Sequence, residues 1–126
     1  MNCSISSIHY CPVKSLSFQN IDSCIIKKKK GILNDRIFAF SNGISLKKTK
    51  LIEKIPNERK LNNFLTLKNS PFLNKYNFIF SDGKLILTYN NKEIIKISVD
   101  SLEQRYLLSN KLLKLESSLT KPISLL

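Results

Sequence analysis

Histidine occurs once in this sequence, at His9, and acidic residues number only 9 among 126. With no second histidine and no clustered Asp or Glu, neither a metal site made by this chain alone nor a Ser-His-Asp relay is expected. The three cysteines, Cys3, Cys11 and Cys24, are odd in number and none forms a Cys-x-x-Cys pair. That spacing speaks against a disulfide framework and a zinc knuckle, and leaves the cysteines as strand-packing thiols. No run reaches the roughly 18 apolar residues that a bilayer crossing takes, and residues 1–5 lack the basic start and apolar run of a secretory signal. A soluble cytoplasmic protein without a membrane partner is expected. No repeat of fixed period is visible, and only the lysine run at 27–30 is of low complexity.

What is present is enough for one core. A chain of 126 residues with 42% hydrophobic content builds a single domain, which rules out a two-domain enzyme. The 21 Lys+Arg against 9 Asp+Glu leave a formal charge of +12, a surface that attracts anions. Of those cations 18 are lysine and 3 arginine, and the chain also carries 16 Ile, 13 Asn and one Ala. AT-rich codons produce such a skew by themselves, so the charge is discounted as a sign of nucleic acid.

The pattern along the chain is β-rich. A short strand is expected over residues 4–10, ended by Cys11-Pro12, and a second over 21–28 that runs into the lysines and stops at Gly31. Residues 36–41 followed by Asn42-Gly43 predict a hairpin returning over 44–47. Residues 49–63, broken by Pro56, read as a loop or a short helix over the sheet, and 64–67 as one more short strand. Runs at 76–80, 84–89 and 93–99, joined by Asp82-Gly83 and Asn90-Asn91, predict a three-stranded meander. Asp100 then caps a helix over 101–118, with Leu108, Leu112, Leu115 and Leu119 on one face, stopped by Pro122. The apolar tail at 123–126 has the look of a cut end. Tyr10, Phe18, Phe38, Phe40, Phe78 and Phe80 alternate with other apolar residues and read as core. About seven short strands and one terminal helix predict a mainly β fold, a small antiparallel β-barrel, because closure removes exposed edges.

Two segments carry residues suited to chemistry. In Cys11-Pro12-Val13-Lys14-Ser15-Leu16 the proline fixes a bend that presents an ammonium beside a hydroxyl, a combination that suits a phosphate or carboxylate. A solvated lysine with no ligand is the plainer alternative for Lys14. In Gly31-Ile32-Leu33-Asn34-Asp35-Arg36 one of only three arginines stands at the mouth of a strand, where its planar five-donor fork could bind an anion or could simply pair with Asp35. His9 reads as a half-buried structural residue and receives no role.

Together the two segments resemble the N-terminal β-barrel domain of the MOSC proteins, the middle domain of molybdenum-cofactor sulfurase. Cys11-Pro12-Val13-Lys14-Ser15 is similar to that family's aromatic-Pro-[Val/Ile]-Lys-Ser segment, with Cys11 in place of the aromatic. Gly31-Ile32-Leu33-Asn34-Asp35-Arg36 is similar to its Gly-Leu-x-x-Asp-Arg segment, and residues 64–71 match more loosely a stretch of Thr, a basic residue and Pro, with Lys68 where arginine is common. The resemblance implies a barrel over residues 1–100, and over 101–126 a helix and apolar tail leading to an absent C-terminal MOSC domain. It implies that Lys14, Ser15 and Arg36 contact the molybdenum cofactor (molybdopterin) at its phosphate or pterin, in a site completed by a MOSC domain in cis or in trans. The metal-ligating or sulfur-carrying cysteine would lie in that other domain, so this chain alone is not expected to be catalytic. The parent protein would be a molybdenum-cofactor-dependent oxidoreductase or a sulfurtransferase. The competing expectation is a basic OB-like barrel binding single-stranded nucleic acid, for which no exposed cluster of aromatics is visible.

Overall fold

The structure is a computed structural model that describes residues 2–126. The chain runs through β1 (Ile8–Tyr10), β2 (Gln19–Ile21), β3 (Ile26–Lys27), β4 (Gly31–Ile32), β5 (Phe40–Asn42), α1 (Leu46–Lys54), β6 (Tyr76–Ser81), β7 (Lys84–Tyr89), β8 (Lys92–Ser98), α2 (Leu102–Leu115) and β9 (Ile123–Leu125). Three short 3-10 turns, Pro56–Glu58, Leu61–Asn63 and Pro71–Lys75, fill the long connection between α1 and β6. The fold is mainly β, with four small antiparallel sheets, β1-β2, β3-β4, β5-β9 and β6-β7-β8. No closed barrel forms among the described residues. Most strands are only two or three residues long; Pro12 follows β1 and has no N–H to extend its ladder, while Pro56 and Pro71 each open a 3-10 turn.

The meander forms where the sequence places it. Asp82 (φ 50°) and Gly83 (φ 71°), then Asn90 (φ 50°) and Asn91 (φ 59°), supply the consecutive left-handed residues that a tight hairpin turn requires. Phe78, Leu85, Leu87 and Ile97 from these strands are buried against Leu108 and Leu112 of α2, Phe40 of β5 and Leu65. Two helical details differ from the sequence reading. The cap of α2 is Ser101, whose Oγ accepts from the Gln104 N–H at 3.2 Å, and not Asp100. The helix also stops at Leu115, three residues early, because Glu116 turns inward.

Other departures are larger. The expected strand over 44–47 is absent: Ser45 Oγ accepts from the Lys48 N–H at 3.2 Å and caps α1, which buries Thr49 and Ile52. β5 pairs instead with β9, so the apolar tail is the antiparallel partner of the strand that ends at Asn42-Gly43. Gly43 makes this exchange possible. Its φ of 67° turns the chain away, and its N–H donates to Pro122 O at 2.8 Å. The expected strand over 21–28 is split between β2 and β3, and the lysine run is the tip of the β3-β4 hairpin. Phe18 is 61% exposed rather than core, and His9 is exposed, its Nε2 3.1 Å from Ser7 Oγ. Residues 64–67 contribute one bridge, Ser41 to Phe64, rather than a strand.

Candidate functional site

The bend after β1 is built by the two segments that the sequence singles out. Pro12 can donate nothing, so its neighbours carry the connection. The Cys11 N–H donates to Asp35 Oδ1 at 2.8 Å, and the Arg36 N–H donates to Cys11 O at 2.7 Å. Two further bonds, Phe38 N–H to Pro12 O at 3.0 Å and Lys14 N–H to Phe38 O at 2.7 Å, lock residues 12–14 alongside 36–38 in parallel. The third stretch joins them: the Leu67 N–H donates to Ser15 O at 3.1 Å. Cys11 is buried, and its thiol reaches Val13 O at 2.8 Å. Burial pushes the Cys11 pKa up, which suits a thiol packed into the bend.

This clamp puts Lys14 and Arg36 on the wall of one cavity of about 170 Å³. Arg59 and Glu53 line it too, with Phe38, Ile52 and Phe64 as apolar wall. Lys14 Nζ lies 4.9 Å from the centroid of the Phe64 ring, a cation–π contact that holds the ammonium at the cavity edge. Phe64 is positioned by its own loop, where Asn69 Oδ1 accepts from the Thr66 N–H at 2.9 Å and Asn69 Nδ2 donates to Phe64 O at 2.9 Å. Arg36 NH1 is 3.0 Å from Asp35 Oδ2, with the Arg36 side chain 60% exposed. An exposed pair of this kind contributes little stability and leaves the remaining N–H groups of the fork free to bind.

Ser15 follows Lys14 directly, yet it is exposed and is not part of the cavity wall. Of the three residues expected to share a site, the fold therefore brings two together at the cavity. Arg59 is the residue that sequence reasoning missed. Its scarcity was the available signal, since it is one of three arginines in a chain of 18 lysines. Lys68, the basic residue of the third stretch, is exposed, and the lysine run sits on a separate hairpin.

No cluster of three or more His, Cys, Asp or Glu side chains able to hold a metal occurs among the described residues, and none of their helices is long and apolar enough to cross a membrane. Comparison with known proteins finds no matching family model, no similar curated protein and no similar solved structure.

Proposed function

We propose that this chain is the anion-holding half of a two-part site, a MOSC-type N-terminal domain that grips the phosphate of molybdopterin while a C-terminal MOSC domain, in cis or in trans, completes the site. The observation that carries the reading is the hydrogen-bonded union of the two motif segments at Cys11, Asp35 and Arg36, which sets Lys14 and Arg36 on one cavity wall. The donor set fits a phosphate: an ammonium and a guanidinium fork suit a dianion. The size fits a phosphate as well, since about 170 Å³ is below the 300–1,000 Å³ usual for a whole ligand, so the pterin would lie outside and against the second domain.

In this reading Lys14 would neutralise charge, Arg36 would orient the phosphate through its N–H donors, and Ser15, exposed beside Lys14 and off the cavity wall, would be available to the rest of the cofactor. The cofactor would supply the redox or sulfur-transfer chemistry of an oxidoreductase or sulfurtransferase; this chain binds and orients. The four small sheets are then an interrupted barrel, stitched by the Val13–Phe38 and Ser41–Phe64 bridges. Three free cysteines suit a reducing cytoplasm.

The test is amide chemical-shift mapping during titration with molybdopterin, with a short single-stranded oligonucleotide as control. Shifts centred on Lys14, Ser15 and Arg36 toward the pterin support the reading. Silence toward molybdopterin, or a response at residues 27–30 toward the oligonucleotide alone, overturns it in favour of no ligand or of a nucleic-acid module.

A further inference from the structure

The cavity contains a cation and an anion that the motif residues do not account for, Arg59 and Glu53. Arg59 is not a free surface arginine. Its Nε donates to Ile52 O at 2.8 Å and its NH2 to Glu53 O at 2.7 Å, so two of its three nitrogens are tied to carbonyls in the last turn of α1. A guanidinium anchored along one edge is fixed in orientation, and its charge is presented with little rotamer entropy left to lose on binding. Glu53 works against that charge, because a carboxylate on a residue that lines the cavity repels an incoming anion and attracts the cations. It is held to one side by α2: Arg105 NH1 is 3.3 Å from Glu53 Oε1. Arg105 is itself pinned, with its Nε donating to Val99 O at the end of β8. It lines a different hollow, between α1 and α2, and does not reach the anion cavity.

We infer that Arg59 is a third anion-binding residue of this cavity, and that the Glu53–Arg105 pair sets the strength of binding by keeping the Glu53 carboxylate occupied. The inference rests on the reading of the cavity as a phosphate site and adds two determinants to it. With three cations against the carboxylates of Asp35 and Glu53, each already paired with an arginine, the site favours a doubly charged phosphoryl group over a singly charged anion. Arg105 is a positioning residue, acting only through Glu53.

The test is an NMR titration of the intact chain with inorganic phosphate at fixed ionic strength, with formate as the singly charged comparison. Wild type is expected to show saturable shifts at Lys14, Arg36 and Arg59 with phosphate and much weaker ones with formate. Arg59→Ala should weaken phosphate binding about tenfold, and Arg59→Lys less, since the charge but not the fork is kept. Glu53→Gln should tighten it about threefold, Arg105→Ala should weaken it by a similar factor, and the double variant Glu53→Gln/Arg105→Ala should bind like Glu53→Gln. That last result separates positioning from mere loss of structure, and Glu53→Gln alone keeps the test valid should Arg105→Ala unfold. Unchanged binding in Arg59→Ala overturns the third-ligand role, and a double variant as weak as Arg105→Ala overturns the positioning role. Absence of any saturable phosphate response in wild type removes the underlying phosphate reading and this inference with it.

Discussion

Ser15 and Arg36 have backbone φ of 58° and 54°, a left-handed conformation that costs a residue with a Cβ about 1 kcal/mol. Both lie where the motif segments meet, and both are held by hydrogen bonds, Leu67 N–H to Ser15 O and Arg36 N–H to Cys11 O. Strain concentrated at the proposed site separates side-chain from backbone effects. Arg36→Gly relieves the left-handed strain while Arg36→Ala retains it, so the glycine variant should be the more stable of the two by about 1 kcal/mol in urea unfolding. The two should nevertheless lose phosphate affinity equally, because both lack the fork. Equal stability would mean that the clamp does not impose this φ in solution. Ser15→Gly is the companion: it should gain stability as well, yet leave phosphate affinity unchanged, since Ser15 is not on the cavity wall.

At the scale of elements, the decisive group is Glu116, which follows α2 and is almost wholly buried. Burial alone would raise its pKa. The Lys75 ammonium at 2.7 Å, the Ser118 hydroxyl at 2.8 Å and amide, and the Tyr76 hydroxyl at 3.1 Å outweigh that and bring it down to about 2. The carboxylate thus ties the turn before β6 to the end of α2. A folded pKa below the unfolded value of 4.5 means that this stabilisation is fully present above about pH 4.5 and is lost as pH falls toward 2. Thermal unfolding of wild type should therefore weaken over that window, and Glu116→Gln should flatten the dependence. At neutral pH the Gln variant should cost about 2 kcal/mol, the weight of hydrogen bonds to a buried charge. An unaltered acid profile in Glu116→Gln would exclude this residue as the acid-sensitive group.

The same residue shows which elements could be read from the sequence. Local chemistry predicted local structure: the left-handed pairs at 82–83 and 90–91 specify the meander, and Leu108 and Leu112 the inner face of α2. Glu116 and Leu115 could not be read. A charged residue enters the core and a leucine is left 42% exposed, because partners 40 positions away in sequence decide the outcome. The swap of β9 for residues 44–47 beside β5 has the same origin. Asn42-Gly43 is a sound hairpin signal, but the capping by Ser45 and the burial of Ile123 and Leu125 compete with it and win. Of the site, Lys14 and Arg36 were legible as motif residues. Arg59 was not, since its position depends on the last turn of α1, in a stretch where the sequence allows a loop or a short helix alike.

For the whole molecule, the last strand is the element on which the rest converges. Ile123 and Leu125 are buried, Leu125 N–H donates to Ser109 Oγ at 3.0 Å, and Ser109 Oγ donates to Arg105 O at 2.9 Å, so β9 is bonded to α2 as well as to β5. Leu126 continues the pairing, its N–H donating to Ala39 O at 2.8 Å, and it lines the proposed anion cavity. Chain ends fray unless tied down, and amides of a frayed end exchange far faster than core amides. With two buried side chains, each contributing about 2–4 kcal/mol, and a buried hydroxyl between strand and helix, fraying here requires opening the core. Native-state hydrogen exchange should therefore give Leu125 and Leu126 the same opening free energy as Phe78 and Leu85 in the meander, within about 1 kcal/mol. Leu125→Ala should lower all four together by about 3 kcal/mol. Fast, independent exchange at Leu125 would detach β9 from the cooperative unit, and with it the rigid wall that Leu126 gives the cavity.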